Sequence, residues 1–222
     1  MARISRVVVP AYPHHVTQRG NRSQKTFFSE TDYQSYLDLV AKAKDVAQVH
    51  IWAYCLMPNH VHWVAVPERQ DSLAALFRVA HRKYTRRINF RMNWRGHLWQ
   101  ERFHSSVMDE RHLLAAVRYV ELNPVRAQLC KNPEDWAWSS ARAHIRARDD
   151  VVTTVSPMLE RVSNWGEFLA DKKSGGLRET ELLRKHTRTG RPIGGDAFVS
   201  HLECLTGRTL RKKKPGPKPS DT

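Results

Sequence analysis

His60 and His62 stand one residue apart in "LMPNHVHWVAVP", residues 56–67, an apolar run that otherwise reads as a β-strand. Strand side chains alternate with period two, so an i, i+2 pair projects from one face. Two imidazoles on one rigid face can grip a single divalent ion. Imidazole suits Mn, Zn, Ni or Fe, whereas pure Mg sites favour oxygen ligands. With 12 His among 222 residues, about 0.6 chance pairs are expected at this spacing, so the pair alone is equally a pair of unliganded sheet-face histidines.

A second constellation lies in "AAVRYVELNPVRAQL", where Tyr119, Asn123 and Arg126 fall at i, i+4 and i+7, along one helix face. A phenol there can attack an electrophile, or simply pack half-buried against its neighbours. Asn123 precedes Pro124, which disfavours helix at Asn123 and suits the first turn of a new one, so it can equally be an N-cap. Known HxH hydrolases are excluded by context. The third alternating position of a histidine triad is Val64, and HxHxDH fails at Val64 and Ala65. An amidohydrolase barrel would need about 250 residues of alternating βα units.

These residues need elements to carry them. "HVTQR" reads as a strand and "GNRSQ" as a turn; Ser29 or Thr31 can cap a helix over "TDYQSYLDLVAKAKDVAQ". "VHIWAYCLM" and "HVHWVAVP" form a hairpin about Pro58-Asn59. The stripe Leu76, Phe77, Ala80, Tyr84, Ile88 predicts a helix over 72–92, "HLWQERFHSSVM" a fourth strand, and "DERHLLAAVRYVEL" a helix capped by Asp109. The order β-α-β-β-α-β-α predicts an α+β, ferredoxin-like sandwich: a four-stranded antiparallel sheet with helices on one face and the other face open for a substrate, plus a C-terminal extension.

Charge narrows the partner. Lys and Arg number 37 against 22 Asp and Glu, a formal charge of +15 with a pI of about 10.2, which favours nucleic acid over an acidic membrane surface. No run approaches the roughly 18–20 apolar residues of a spanning helix, and the N-terminus is a poor secretory signal, so a cytoplasmic protein is expected. Cys55, Cys130 and Cys204 are scattered and unpaired, and read as small buried residues. Between Arg78 and Arg102 eight basic residues face one acid, Glu101, interleaved with Tyr84, Phe90, Trp94 and Trp99. Arg78, Arg82 and Arg86 share a helix face and, with Lys83 and Arg87, suit phosphate contact beside base stacking on single strands, with several of the rings expected in the core. Arg19, Asn21 and Arg22 are candidate DNA contacts after the first strand, and Lys212, Lys213 and Lys214 candidates in a basic tail.

"YCLMPNHVHWVAVP" together with "RYVELNPVRA" closely resembles the single-tyrosine HUH transposases of bacterial insertion sequences, and among them the REP-associated tyrosine transposases; U is here Val61. "HHVTQRGN", "GHLWQERFHS" and "WAWSSARAH" also resemble that family, so the resemblance spans residues 6–145, and "GRPIGGDAFVSHLECLTGRTLRKKKPG" resembles its C-terminal extension. The resemblance implies that His60 and His62 bind a catalytic Mg or Mn ion, that Tyr119 is the nucleophile, and that Asn123, often Gln in relatives, completes the metal site. It also implies cleavage of single-stranded DNA beside hairpins of repetitive extragenic palindromes through a covalent 5'-phosphotyrosine that frees a 3'-hydroxyl. A monomer is the expectation, a homodimer sharing tyrosines the alternative. Residues 1–150 would form the transposase domain, 151–207 a partly helical extension and 208–222 a disordered basic tail. The rival reading is a non-catalytic nucleic-acid-binding regulator that retains the fold; an RNA-binding domain of this shape would carry aromatic residues, not histidines, on its central strands.

Overall fold

Ser29 caps the first helix as one half of a capping box, its hydroxyl taking the Asp32 amide while the Asp32 carboxyl accepts from the Ser29 N–H. The computed structural model describes residues 4–171 and 189–211 together with Glu181, Leu183 and His186. Strands β1 (His14–Arg19), β2 (Val49–Met57), β3 (His60–Pro67) and β4 (His104–Val107) form one antiparallel sheet in the order β2-β3-β1-β4. Helices α1 (Glu30–Lys44) and α2 (Ser72–Met92) pack together on one face, as the βαββαβ order predicts. Val16, Tyr54, Leu56, Val61, Trp63 and Ala65 face them, and Tyr36, Trp63, Phe77 and Tyr84 are almost fully buried there. Each such side chain contributes roughly 1.5–3 kcal/mol by leaving water.

The other face is not left open. Helix α3 (Glu110–Glu121) lies over it, and its Leu113, Val117 and Val120 meet Cys55, Met57, Val64 and Met108. The fourth strand is also shorter than "HLWQERFHSSVM": Trp99 makes an isolated bridge with Gly20, and Glu101 takes a left-handed φ of 54°, so the ladder resumes only at His104. Leu98, Trp99 and Phe103 plug the core beneath α2 instead of extending the strand.

Both sheet edges are covered by later segments. Along β2, Leu56 N–H donates to the Trp138 carbonyl, Ser140 N–H to that of Tyr54, and Thr154 N–H to that of Ile51. Along β4, Ile193 N–H donates to Val107 O and Asp109 N–H to Ile193 O. Unpaired edges are templates for aggregation, and this chain satisfies both with its own backbone. Short helices α4 (Asn123–Arg126), α5 (Ala141–Ile145), α6 (Ser156–Leu159) and α7 (Trp165–Ala170) pack around α3, and α8 (Asp196–Thr206) sets Leu202 against Val7, Val9 and Leu210. Of the cysteines Cys55 is buried, but Cys130 is half-buried and Cys204 exposed. No helix among the described residues is long and apolar enough to cross a membrane. Lys212, Lys213, Lys214 and the rest of the basic tail lie outside the described residues, as does part of the 151–207 extension.

Candidate active site

The turn before β3 is tied to the end of β1. Gly20 N–H donates to Asn59 O (2.8 Å), Thr26 N–H to Pro58 O (2.8 Å) and Asn59 Nδ2 to Ser23 O (3.0 Å). A Cβ at Gly20 would meet Gln24 O at 2.3 Å, so only glycine fits this approach. The tie aims Asn59 Oδ1 at His60 Nδ1, 2.6 Å away. Burial and the nearby Arg19 charge lower the His60 pKa to about 4, so the ring is neutral, its Nδ1–H donates to Asn59 and Nε2 keeps its lone pair. Asn59, read from sequence only as a turn residue, therefore fixes the tautomer of His60.

His62 lies one pleat further along the same face, its ring 5.0 Å from that of His60. Its Nδ1 is 3.0 Å from Nε2 of His15, and the two rings stack at 5.2 Å with 4° between planes. Burial lowers His62 well below the ordinary imidazole value, with the His60, His15, Arg126 and Arg19 charges adding to it, and burial lowers His15 to about 4. When His62 Nδ1–H donates to His15, its Nε2 is an unprotonated donor atom. His15 was missed as a site residue, although it lies within the quoted "HHVTQRGN". The signal was the i, i+2 alternation of His15, Thr17 and Arg19 on β1, which the β1/β3 register sets opposite Val64, His62 and His60.

Tyr119 reaches this face from α3. Its ring centroid is 5.6 Å from that of His62 and 6.1 Å from that of His15, both edge-on. Arg126, on α4, places its guanidinium carbon 4.3 Å from the Tyr119 ring centroid, and donates to the Tyr119 carbonyl. The helix pauses at Leu122 (ψ 0°) and restarts at Asn123-Pro124, so Asn123 and Arg126 follow Tyr119 on successive turns. The end of α3 is locked from below. Glu121, fully buried, accepts from Ser140 Oγ (2.5 Å), His144 Nδ1 (2.6 Å) and Trp165 Nε1 (2.7 Å). Ser140 also receives Tyr54 N–H, which ties the tyrosine's helix to β2.

The donor set fits a divalent cation. His60 and His62 are neutral, backed by Asn59 and His15, and each keeps an unprotonated Nε2; Asn123, four residues after Tyr119, has a buried Nδ2 without a hydrogen-bond partner. Among the described residues no three His, Cys, Asp or Glu side chains converge as a metal-binding group. A cation there would take its remaining ligands from phosphate oxygens and water.

The candidate DNA contacts divide. Arg19 stands opposite His60, exposed, and Asn21 and Arg22 form the single turn after it, with Arg22 at a φ of 53°. Arg78, Arg82, Lys83, Arg86 and Arg87 are all exposed on α2, against the face opposite Tyr119. Arg91 instead pairs with buried Asp32 at 2.5 and 2.7 Å. Tyr84 and Trp99 belong to the core, while Phe90 (90% exposed) and Trp94 face solvent.

A ferredoxin-like sheet with a histidine pair on its third strand and a tyrosine facing it from the helix after the fourth is the arrangement of a transposase class. Residues 8–123 match the family model described as "Transposase IS200 like", and the chain belongs to that family. It is 27% identical over 126 residues to the REP-associated tyrosine transposase of Escherichia coli (strain K12), which covers 56% of this chain and 72% of that one. A solved structure described as a REP-associated tyrosine transposase bound to a REP hairpin shares the fold, with a TM-score of 0.56 and 22% identity over 69% of this chain and 92% of that chain.

Proposed function

We propose that this chain is a metal-dependent single-stranded DNA endonuclease and strand transferase acting beside hairpins through a covalent 5'-phosphotyrosine. The observation that carries it is the meeting of Tyr119 with the neutral His62 and His15 rings on one sheet face. The hairpin substrate is taken over from the relative whose structure holds one. In this reading His60, His62 and Asn123 hold Mg or Mn, which when bound supplies charge stabilisation at the phosphate oxygens. Tyr119 Oη forms a bond to phosphorus, loses its proton, and the P–O3' bond breaks with the 3'-oxygen taking a proton. Because the new ester retains the phosphodiester linkage, a second 3'-hydroxyl can reverse the attack and join different ends. Arg126 over the phenol ring and Arg19 beside His60 are placed to hold backbone phosphates. In this reading the protein acts as a monomer, a homodimer being the alternative, and Met158 of α6 with Trp165 and Leu169 of α7 buttress α3.

The test is a labelled single-stranded hairpin with flanks, incubated with the protein and Mn or Mg, followed by a denaturing gel and mass mapping. A DNA adduct on Tyr119, absent in Tyr119→Phe while hairpin binding stays within about twofold, is the expected result. Tight binding with neither adduct nor cut would make the chain a non-catalytic binder.

A further inference from the structure

On the other face of β1 lies a pocket of about 670 Å³ between α2 and the 97–103 segment. Its walls include Phe77, His81, Trp99 and Phe103, and Arg78, Arg82 and Arg86 line it along α2. Two buried polar atoms of lining residues have no partner: Gln18 Oε1, an acceptor, and Trp99 Nε1, a donor. Gln18 is 2% exposed and Trp99 7%, so bulk water does not satisfy them, and an orphaned buried polar atom costs about 1–3 kcal/mol. The Gln18 amide nitrogen is already committed to Gln100 O at 2.7 Å, which fixes the acceptor as the free end. The Trp99 indole is packed among His81, Tyr84 and Phe27, so its edge is what remains to be read.

We infer that this pocket takes one unpaired nucleobase from the single strand flanking the cleavage site, with its phosphates held by the α2 arginines. One acceptor and one donor in an aromatic-walled pocket match the edge of a nucleobase, which presents a donor beside an acceptor. The volume suits a nucleotide-sized ligand. The cationic helix face outside continues the path for the backbone. Strand alternation places the pocket next to the candidate active site: Gln18 faces the pocket and the adjacent Arg19 stands opposite His60 on the other side. A strand rounding the Gly20 end of β1 therefore meets both. The inference rests on the single-stranded DNA reading above and adds to it a position where a particular base, not only the backbone, is held.

The test walks one abasic residue along each flank of the labelled hairpin and measures binding by fluorescence anisotropy with the full chain. For the wild type, one flank position is expected to weaken binding about tenfold when its base is removed. In Gln18→Leu, and in Ala74→Phe, which fills the pocket from α2 without touching β1, that position loses its penalty to within twofold. A flank with no such position, or a penalty that survives in Ala74→Phe, overturns the pocket assignment. Running the Tyr119 adduct assay on the same oligonucleotides separates the two readings. Adduct without a base-sensitive position overturns the pocket alone, and a pocket-dependent position without adduct overturns the catalytic reading alone.

Discussion

Replacing Glu121 by Ala tests whether the seat of Tyr119 is held from within the protein. The carboxyl is fully buried and receives three donors. Ser140 Oγ keeps a second acceptor in Tyr54 O at 3.3 Å, so the truncation strands two groups, the His144 and Trp165 N–H. At about 1–3 kcal/mol for each stranded donor the loss is roughly 2–6, centred near 4 kcal/mol. For a chain of this size 1 kcal/mol moves Tm by about 2–4 °C, so Glu121→Ala melts roughly 8–16 °C lower by circular dichroism, with Glu121→Gln in between. The adduct yield of Glu121→Ala falls even well below its own Tm, because the phenol lies two residues from the lost anchor. A Tm within about 3 °C of wild type would refute the network's role.

Two further outcomes are expected. His14 and His81 are held neutral by burial, at about 4 and about 3, and His14 accepts Val9 N–H at Nε2. Their unfolded values lie near 6.5, so between pH 6.5 and 4 the unfolded chain binds more protons and stability falls with pH, each histidine adding up to about 1.4 kcal/mol per pH unit. Urea midpoints at pH 7 and pH 5 read this directly, and an equal or higher midpoint at pH 5 contradicts it. Arg82→Ala should flatten the dependence of log affinity on log salt by about 0.7–0.9, the contribution of one phosphate contact, and leave the Tyr119 adduct chemistry intact at low salt; an unchanged slope removes Arg82 from the DNA path.

The helices and hairpin were legible because each carries one unbroken apolar period: α2 spans Ser72–Met92 as its stripe predicts, and α3 begins after its Asp109 cap. The fourth strand was overextended because Leu98, Trp99 and Phe103 have strand-like composition while tertiary packing uses them as a plug under α2. His60, His62 and Tyr119 were legible as motifs. Their supports were not. His15 needs the β1/β3 register to be seen beside His62, and Glu121 reads as a solvated helix acid until Ser140, His144 and Trp165, 19 to 44 residues later, fold onto it. The opposite face was expected to stay open because periodicity places α1 and α2 without saying what α3 covers.

The position of those late partners also sets a timetable. As the chain is synthesised, both imidazoles and both of their supports are complete once β3 has emerged, whereas the lock under the tyrosine's helix waits for Trp165, 44 residues after Glu121. At about 5–20 residues per second that interval lasts roughly 2–9 s. A nascent or prematurely terminated chain that stops short of Trp165 thus carries the histidine pair without a fastened Tyr119 helix, and the two halves of the candidate site mature at different times.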